Sequence, residues 1–199
     1  MNGAARRLAR ALAILAGAAA AAPAWAADPE AVRQKVQACV ACHGEAGNST
    51  NPGVPSLARQ PSLFMQWQLL MFRDGRRKDP QMSPVAANLS DADIADLAAY
   101  FAAQKPAAPA LAPDPAKAEA GLKAARTNHC LSCHGANLMG ADQIPRIAGQ
   151  HLEYVRTQLR LYRARTRADL DGQMTSAAQA LTDENIENLA HFVATFPPQ

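Results

Sequence analysis

Two stretches of the chain carry the same apolar register. Ile94, Leu97, Ala98 and Phe101 recur at i, i+3, i+4 and i+7, and Ile186, Leu189, Ala190 and Val193 repeat that spacing, which lines one face of an α-helix. Each set follows a hydroxyl residue, Ser90 or Thr182, suited to accept from the unpaired N–H groups of a first helical turn. Upstream, Leu152, Val155, Leu159 and Tyr162 form a further stripe, matched by Met65, Leu69 and Phe72. Asp28-Pro29 and Asp114-Pro115 place a capping Asp before a Pro, the favoured opening of a helix leading on to Cys39 or Cys130. No segment alternates apolar and polar residues as a half-buried strand does. The pattern predicts an all-α fold.

The two sets of stripes belong to a duplication. Pro55-Ser56-Leu57-Ala58-Arg59-Gln60 matches Pro145-Arg146-Ile147-Ala148-Gly149-Gln150 at a shift of 90 residues. Gln68-Leu69 and Phe72-Arg73 match Gln158-Leu159 and Tyr162-Arg163 at the same shift, and Leu89-Ser90-Asp91 matches Leu181-Thr182-Asp183 at 92. Tandem self-similarity of this kind marks repeated structural units. Between the copies, residues 105–115 hold four prolines and several alanines, an extended polyproline stretch unsuited to a core. The expected organisation is a segment 1–27, a domain 28–104, a linker 105–115 and a domain 116–199.

The first 27 residues read as a secretory signal: Arg6, Arg7 and Arg10, an apolar run from Ala11 to Ala22, then Ala24-Trp25-Ala26. The run falls short of the roughly 20 residues that span a bilayer. Cleavage near Ala26 is expected, leaving an exported chain with at most peripheral membrane association. This assignment also changes the charge. The formal net charge of +3 resides in the three leading arginines, since residues 28–105 carry eight basic and eight acidic residues and 106–199 carry nine of each. A formally neutral mature chain excludes an electrostatic nucleic-acid partner.

All four cysteines lie in two pentapeptides, Cys39-Val40-Ala41-Cys42-His43 and Cys130-Leu131-Ser132-Cys133-His134. The C-x-x-C-H pattern reads as covalent c-type haem attachment. Two thiols one helical turn apart reach the two vinyl groups of one porphyrin, and the adjacent His is carried beneath the iron. A structural zinc site sets its C-x-x-C knuckles about 15 to 20 residues apart and needs no His in both fifth positions; here 87 residues separate Cys42 from Cys130. A thioredoxin-like pair expects a βαβ context, and disulfides explain neither His. Two covalently bound haem c groups are expected. They would supply apolar mass to domains of about 80 residues that are poor in aromatics.

An iron that only exchanges electrons needs a second strong ligand. Met82 and Met174 recur 39 and 40 residues after His43 and His134, whereas Met65, Met71 and Met139 do not recur. The expected axial pairs are His43 with Met82 and His134 with Met174, leaving His129, His151 and His191 as surface or capping residues. Pro55 and Pro145 follow the haem histidines by 12 and 11 residues, where a carbonyl would fix the imidazole tautomer. Arg73 and Arg163, which recur, are candidate partners for haem propionates.

Residues 30–199 resemble tandem two-haem class I cytochromes c of the cytochrome c-four type. The likeness rests on the paired C-x-x-C-H units, the Pro-x-Leu/Ile-Ala-x-Gln and Gln-Leu-x-x-Phe/Tyr-Arg segments and the two late methionines. It implies two class I cytochrome c domains, one His/Met haem in each, propionate edges near the domain interface, and a periplasmic location. The implied role is to carry electrons between respiratory complexes, with a quinol-oxidising complex, a terminal oxidase or a dehydrogenase as partner. The alternative is a haem-bearing subunit docked to a periplasmic dehydrogenase. An enzyme is not expected, because both irons would be closed by Met and all four cysteines consumed. Two departures stand out: the linker is unusually rich in Ala and Pro, and the second domain enters its haem helix five residues earlier.

Overall fold

The computed structural model describes residues 29–199; the secretory signal expected over residues 1–27 and the capping role expected of Asp28 lie outside them. The described chain is helical, with no strand and one isolated antiparallel bridge between Ala141 and Ile144. The helices are α1 (Pro29–His43), α2 (Ser62–Arg73), α3 (Met82–Ala86), α4 (Asp91–Ala102), α5 (Pro115–Thr127), α6 (Cys130–His134), α7 (Leu152–Arg163), α8 (Gln173–Ala178) and α9 (Asp183–Thr195).

The expected caps set the helix starts. Ser90 Oγ accepts from Asp93 N–H at 3.2 Å while Asp93 Oδ2 accepts from Ser90 N–H at 3.0 Å. Thr182 and Asn185 repeat the reciprocal pair at the head of α9. Such boxes satisfy two backbone donors that the helix leaves unpaired. Asp114 accepts from the N–H groups of Ala116 and Lys117, opening α5 behind Pro115. The apolar stripes of α4 and α9 are buried along their whole length, from Ile94 to Phe101 and from Ile186 to Val193. In α2 and α7 burial is partial: Met65, Phe72 and Tyr162 are buried, but Leu69, Val155 and Leu159 are half-buried. Those two helices line an internal cavity instead of a closed core.

In the first half one helix, α1, runs unbroken into the C-x-x-C-H unit. The second half does not repeat this. Five extra residues turn a helix by about 140° beyond whole turns at 3.6 residues per turn, which would swing the cysteines off the face they need. The chain solves this by breaking: Asn128 closes α5 with its backbone and side-chain N–H groups on the Ala124 carbonyl, His129 enters the left-handed region at φ 57°, and α6 begins anew at Cys130. The expectation of a single helix from Asp114 to the cysteines is corrected accordingly. Helix α5 then packs on α9 so closely that a Cβ on Gly121 would stand 2.3 Å from the Asn188 carbonyl oxygen and 2.4 Å from Phe192 Cβ.

The two halves dock face to face. Gln60 Nε2 donates to the Arg146 carbonyl at 2.8 Å, and Gln150 Nε2 donates to the Ser56 carbonyl at 3.0 Å. Position 60 matches 150 and 56 matches 146, so the contact is reciprocal about a pseudo-twofold axis. His151 Nε2–H donates to the Ser49 carbonyl at 2.9 Å, and Phe64 N–H to the Asp142 carbonyl at 2.9 Å. The proline-rich segment lies outside but is held at both ends. Asn48 binds the Lys105 carbonyl and the Ala107 N–H, and His191 Nε2 accepts from Asp114 N–H at 2.9 Å. It is therefore a strap, not an open spacer. No helix among the described residues is long and apolar enough to cross a membrane.

Candidate haem cavity

One cavity of about 1020 Å³ runs through both halves, and all eight residues singled out by the sequence line it: Cys39, Cys42, His43 and Met82 in the first half, Cys130, Cys133, His134 and Met174 in the second. All four cysteines are unbridged, and burial pushes the Cys39 and Cys130 thiols up. His43 and His134 are both buried. His43 Nδ1–H donates to the Pro55 carbonyl at 2.8 Å and His134 Nδ1–H to the Pro145 carbonyl at 3.0 Å. A carbonyl only accepts, so these bonds fix the tautomer and leave Nε2 of each ring with its lone pair. Burial pulls both imidazoles below their ordinary pKa, against the opposing carbonyl bond, which keeps the rings neutral and able to ligate a metal.

The two methionines are presented by matching devices that sequence reasoning missed. Asp79 Oδ1 accepts from the N–H groups of Gln81 and Met82 at 2.9 and 2.8 Å. Asp169 Oδ2 accepts from Met174 N–H at 2.7 Å, and its Oδ1 from Thr175 N–H at 3.3 Å. The two aspartates recur at a shift of 90 but the methionines at 92. The two added residues are absorbed where Gly172 takes φ 77°, a conformation that costs glycine little. The recurrence of Asp at a fixed shift was the available signal.

Arg73 and Arg163 do not face the cavity's centre. Arg73 Nη1 donates to the Leu89 carbonyl at 3.1 Å and to Asp91 at 2.7 Å. Arg163 repeats this on the Leu181 carbonyl at 3.0 Å and Asp183 at 2.6 Å. They tie α2 to α4 and α7 to α9, which corrects the propionate assignment. The arginines that do line the cavity are Arg77, Arg167 and Arg146. Arg77 binds Gln68 of its own half and reaches Tyr154 Oη at 3.3 Å and Gln158 at 3.4 Å across the interface. Arg167 binds Gln158 of its own half and reaches across to Gln68 at 3.3 Å. Each guanidinium lies over an aromatic ring, Phe72 at 4.4 Å and Tyr162 at 4.5 Å, a favourable cation–π placement. Burial would raise the Tyr154 phenol, but the two guanidinium groups outweigh it and leave it below its ordinary value. Arg77 and Arg167 also recur at the 90-residue shift; the repeat alone did not tell them from Arg73 and Arg163.

None of the ion pairs among the described residues involves Arg77, Arg146 or Arg167. Arg146 Nη2 and Arg167 Nε are buried with no hydrogen-bond partner. A buried cation without an anion is strongly unfavourable. A cavity with apolar walls, two neutral histidines, two thioether sulfurs and a centre of unneutralised cations fits a pair of metal porphyrins whose carboxylates point inward. The remaining histidines have other duties: His129 sits at the helix break, His151 joins the halves and His191 holds the strap.

The Cytochrome c family matches this chain twice, over residues 30–105 and 118–197. The class is therefore an all-α protein of two tandem cytochrome c domains. Cytochrome c4 of Thiocapsa roseopersicina is 38% identical over 179 residues, covering 83% of this chain and 91% of its own. The thiosulfate dehydrogenase electron acceptor of Thiomonas intermedia is 35% identical, covering 89% of this chain and 85% of its own. The structure of reduced recombinant cytochrome c4 from Pseudomonas stutzeri superposes with a TM-score of 0.78 at 34% identity, covering 86% of this chain and all of that one. The chain belongs to the cytochrome c4 family of dihaem c-type cytochromes, and it is an electron-transfer protein with two haem c groups.

Proposed function

We propose that this protein is a periplasmic electron carrier in which Cys39 and Cys42 attach one haem and Cys130 and Cys133 the other, with His43 and Met82, and His134 and Met174, as axial ligands. The observation that carries the reading is the single cavity lined by both C-x-x-C-H units and both late methionines, with each His Nδ1–H held by a proline carbonyl. The haem iron, when bound, supplies reversible one-electron chemistry. The chain's residues do the rest. Pro55 and Pro145 raise imidazole basicity, Asp79 and Asp169 hold the methionine helices in place, and the cavity walls keep water from the iron. A thioether ligand favours the reduced state. With Met82 and Met174 closing both irons, no position would be left for a substrate, and this reading makes the protein a carrier and not an enzyme.

The domains run from 28 to 104 and from 116 to 199, after removal of the signal near Ala26. Its partners are redox proteins, among them a quinol-oxidising complex, a terminal oxidase or a dehydrogenase. The thiosulfate dehydrogenase acceptor among the relatives favours a second reading, in which the protein docks to a dehydrogenase as its electron-accepting subunit. The mass of the denatured protein tests the attachment: polypeptide plus two haems is expected, and one haem or none refutes it. Carbon monoxide tests the ligation, since closed irons bind it poorly and Met82→Ala or Met174→Ala opens one. Co-purification from the native source separates the free carrier from the docked subunit.

A further inference from the structure

Position 146 is where the duplication fails in a way that the symmetry itself explains. In the first half the matching residue is Ser56. Arg146 is 1% exposed, and its guanidinium lies between two backbone carbonyls: Nε donates to Ala58 at 3.0 Å and Nη1 to Ala148. Ala58 and Ala148 are themselves equivalent positions of the repeat, so the cation sits at the pseudo-twofold axis. A group on a twofold axis is supplied once. A mate on position 56 would compete for the same space and bring a second positive charge against the first. Ser56 is small, and its backbone N–H and carbonyl are taken by Gln150 at 2.9 and 3.0 Å.

The third arm of this guanidinium, Nη2, has no partner. Arg146 lines the cavity that both haem sites share and takes part in none of the ion pairs among the described residues. Burial pulls its pKa down to about 10, so it is still charged at neutral pH. Arg77 and Arg167 flank the same interface as a symmetric pair, one from each half. The arrangement thus holds two cations, one from each half, and a third at the axis between them.

We propose that Arg146 is a counter-charge shared by the propionates of both haems, a central cation through which the two redox centres are tuned together. This rests on the dihaem reading above. A charge on the axis stabilises an added electron on either iron to a similar extent, so its removal lowers both potentials in parallel. A residue serving only as a clamp between the Ala58 and Ala148 carbonyls would contribute to domain docking and leave the potentials where they are.

The test is spectroelectrochemical titration of the full-length holoprotein carrying Arg146→Gln and Arg146→Lys, with the denatured mass of each sample checked for two haems. Removing one buried unit charge weakens electron binding on the order of tenfold at each haem, about 59 mV for a one-electron couple. Arg146→Lys keeps the charge and should retain most of both potentials. Unchanged potentials in Arg146→Gln, or a shift confined to one haem, overturns the proposal. Loss of a haem from the unmodified protein would instead refute the attachment reading. Should Arg146→Gln not fold, the unmodified protein decides: the Arg146 side-chain N–H resonances, identified by their loss in Arg146→Lys, should respond to reduction of either haem. A response to one haem alone, or to neither, overturns it.

Discussion

The halves of this molecule bring equivalent residues to equivalent places by different local routes. In the first half α1 enters the C-x-x-C-H unit without interruption, and its buried cluster is small: Val36, Met65, Leu97, Ala98 and Phe101. In the second half the helix breaks at His129, and the cluster extends from Ala124 and Ala125 through Leu138, Tyr162 and Ala178 to Phe192 and Val193. The second half has traded a continuous helix for a tighter seam between α5 and α9, made possible by Gly121. Protein atoms alone therefore hold the second half better than the first, which depends more on its haem for a core.

Removing the haem from each half in turn should expose that difference most strongly. Cys39→Ala with Cys42→Ala should abolish cooperative unfolding of the first half, while Cys130→Ala with Cys133→Ala should leave residual α5 and α9 protection in the second. Hydrogen exchange on the two variants checks this, and equal protection would break the comparison. A smaller effect is expected at the seam. Gly121→Ala forces backbone and Phe192 apart, and overpacking of this kind costs about 1–3 kcal/mol. For a domain this size that lowers the melting midpoint by about 4–8 °C per kcal/mol, in the second-half transition alone. Gly75→Ala, at φ 69° with open space around it, should cost only about 1 kcal/mol, and in the first half.

The methionine helices allow a finer contrast. Asp79→Ala and Asp169→Ala each remove a cap worth about 1 kcal/mol. Asp169 also binds the Thr175 backbone and hydroxyl, so its loss should admit carbon monoxide to the second haem more readily than the loss of Asp79 admits it to the first. The smallest effect concerns the tie between α7 and α9. The Arg163 hydrogen bond, and then its charge, hold the exposed Asp183 carboxyl below its ordinary value. The folded pKa is depressed, so this contribution is present above the usual carboxylate pKa of about 3.9 and is lost as pH falls through the folded value. Arg163→Ala should return Asp183 to the ordinary range in a carbon-detected NMR titration. An unmoved titration would remove Arg163 from that tie.

Much of the fold was legible in local patterns. The caps at Ser90, Thr182 and Asp114 and the stripes of α4 and α9 are local features, each set by residues that the spacing of a turn or helix brings together, while the proline carbonyls beside His43 and His134 were marked by their recurrence 12 and 11 residues after each His. The break at His129 was half visible: five extra residues cannot be added to a helix without rotating the cysteines beyond them. The arginines were not legible. Arg73 and Arg77 recur equally well as Arg163 and Arg167, and nothing in the repeat says which pair binds an aspartate at a helix start and which crosses the interface.

The sequence by itself determined an all-α duplicated chain, two C-x-x-C-H units and two late methionines, because each depends on residue types at short fixed spacings. Only the tertiary structure decided that the halves dock about an axis, that the proline-rich segment is a strap held by Asn48 and His191, and that Arg146 lies on that axis between the Ala58 and Ala148 carbonyls. Those outcomes depend on the docking of two surfaces distant in the chain. Many weak contacts sum there to select one orientation, and no single short pattern encodes it.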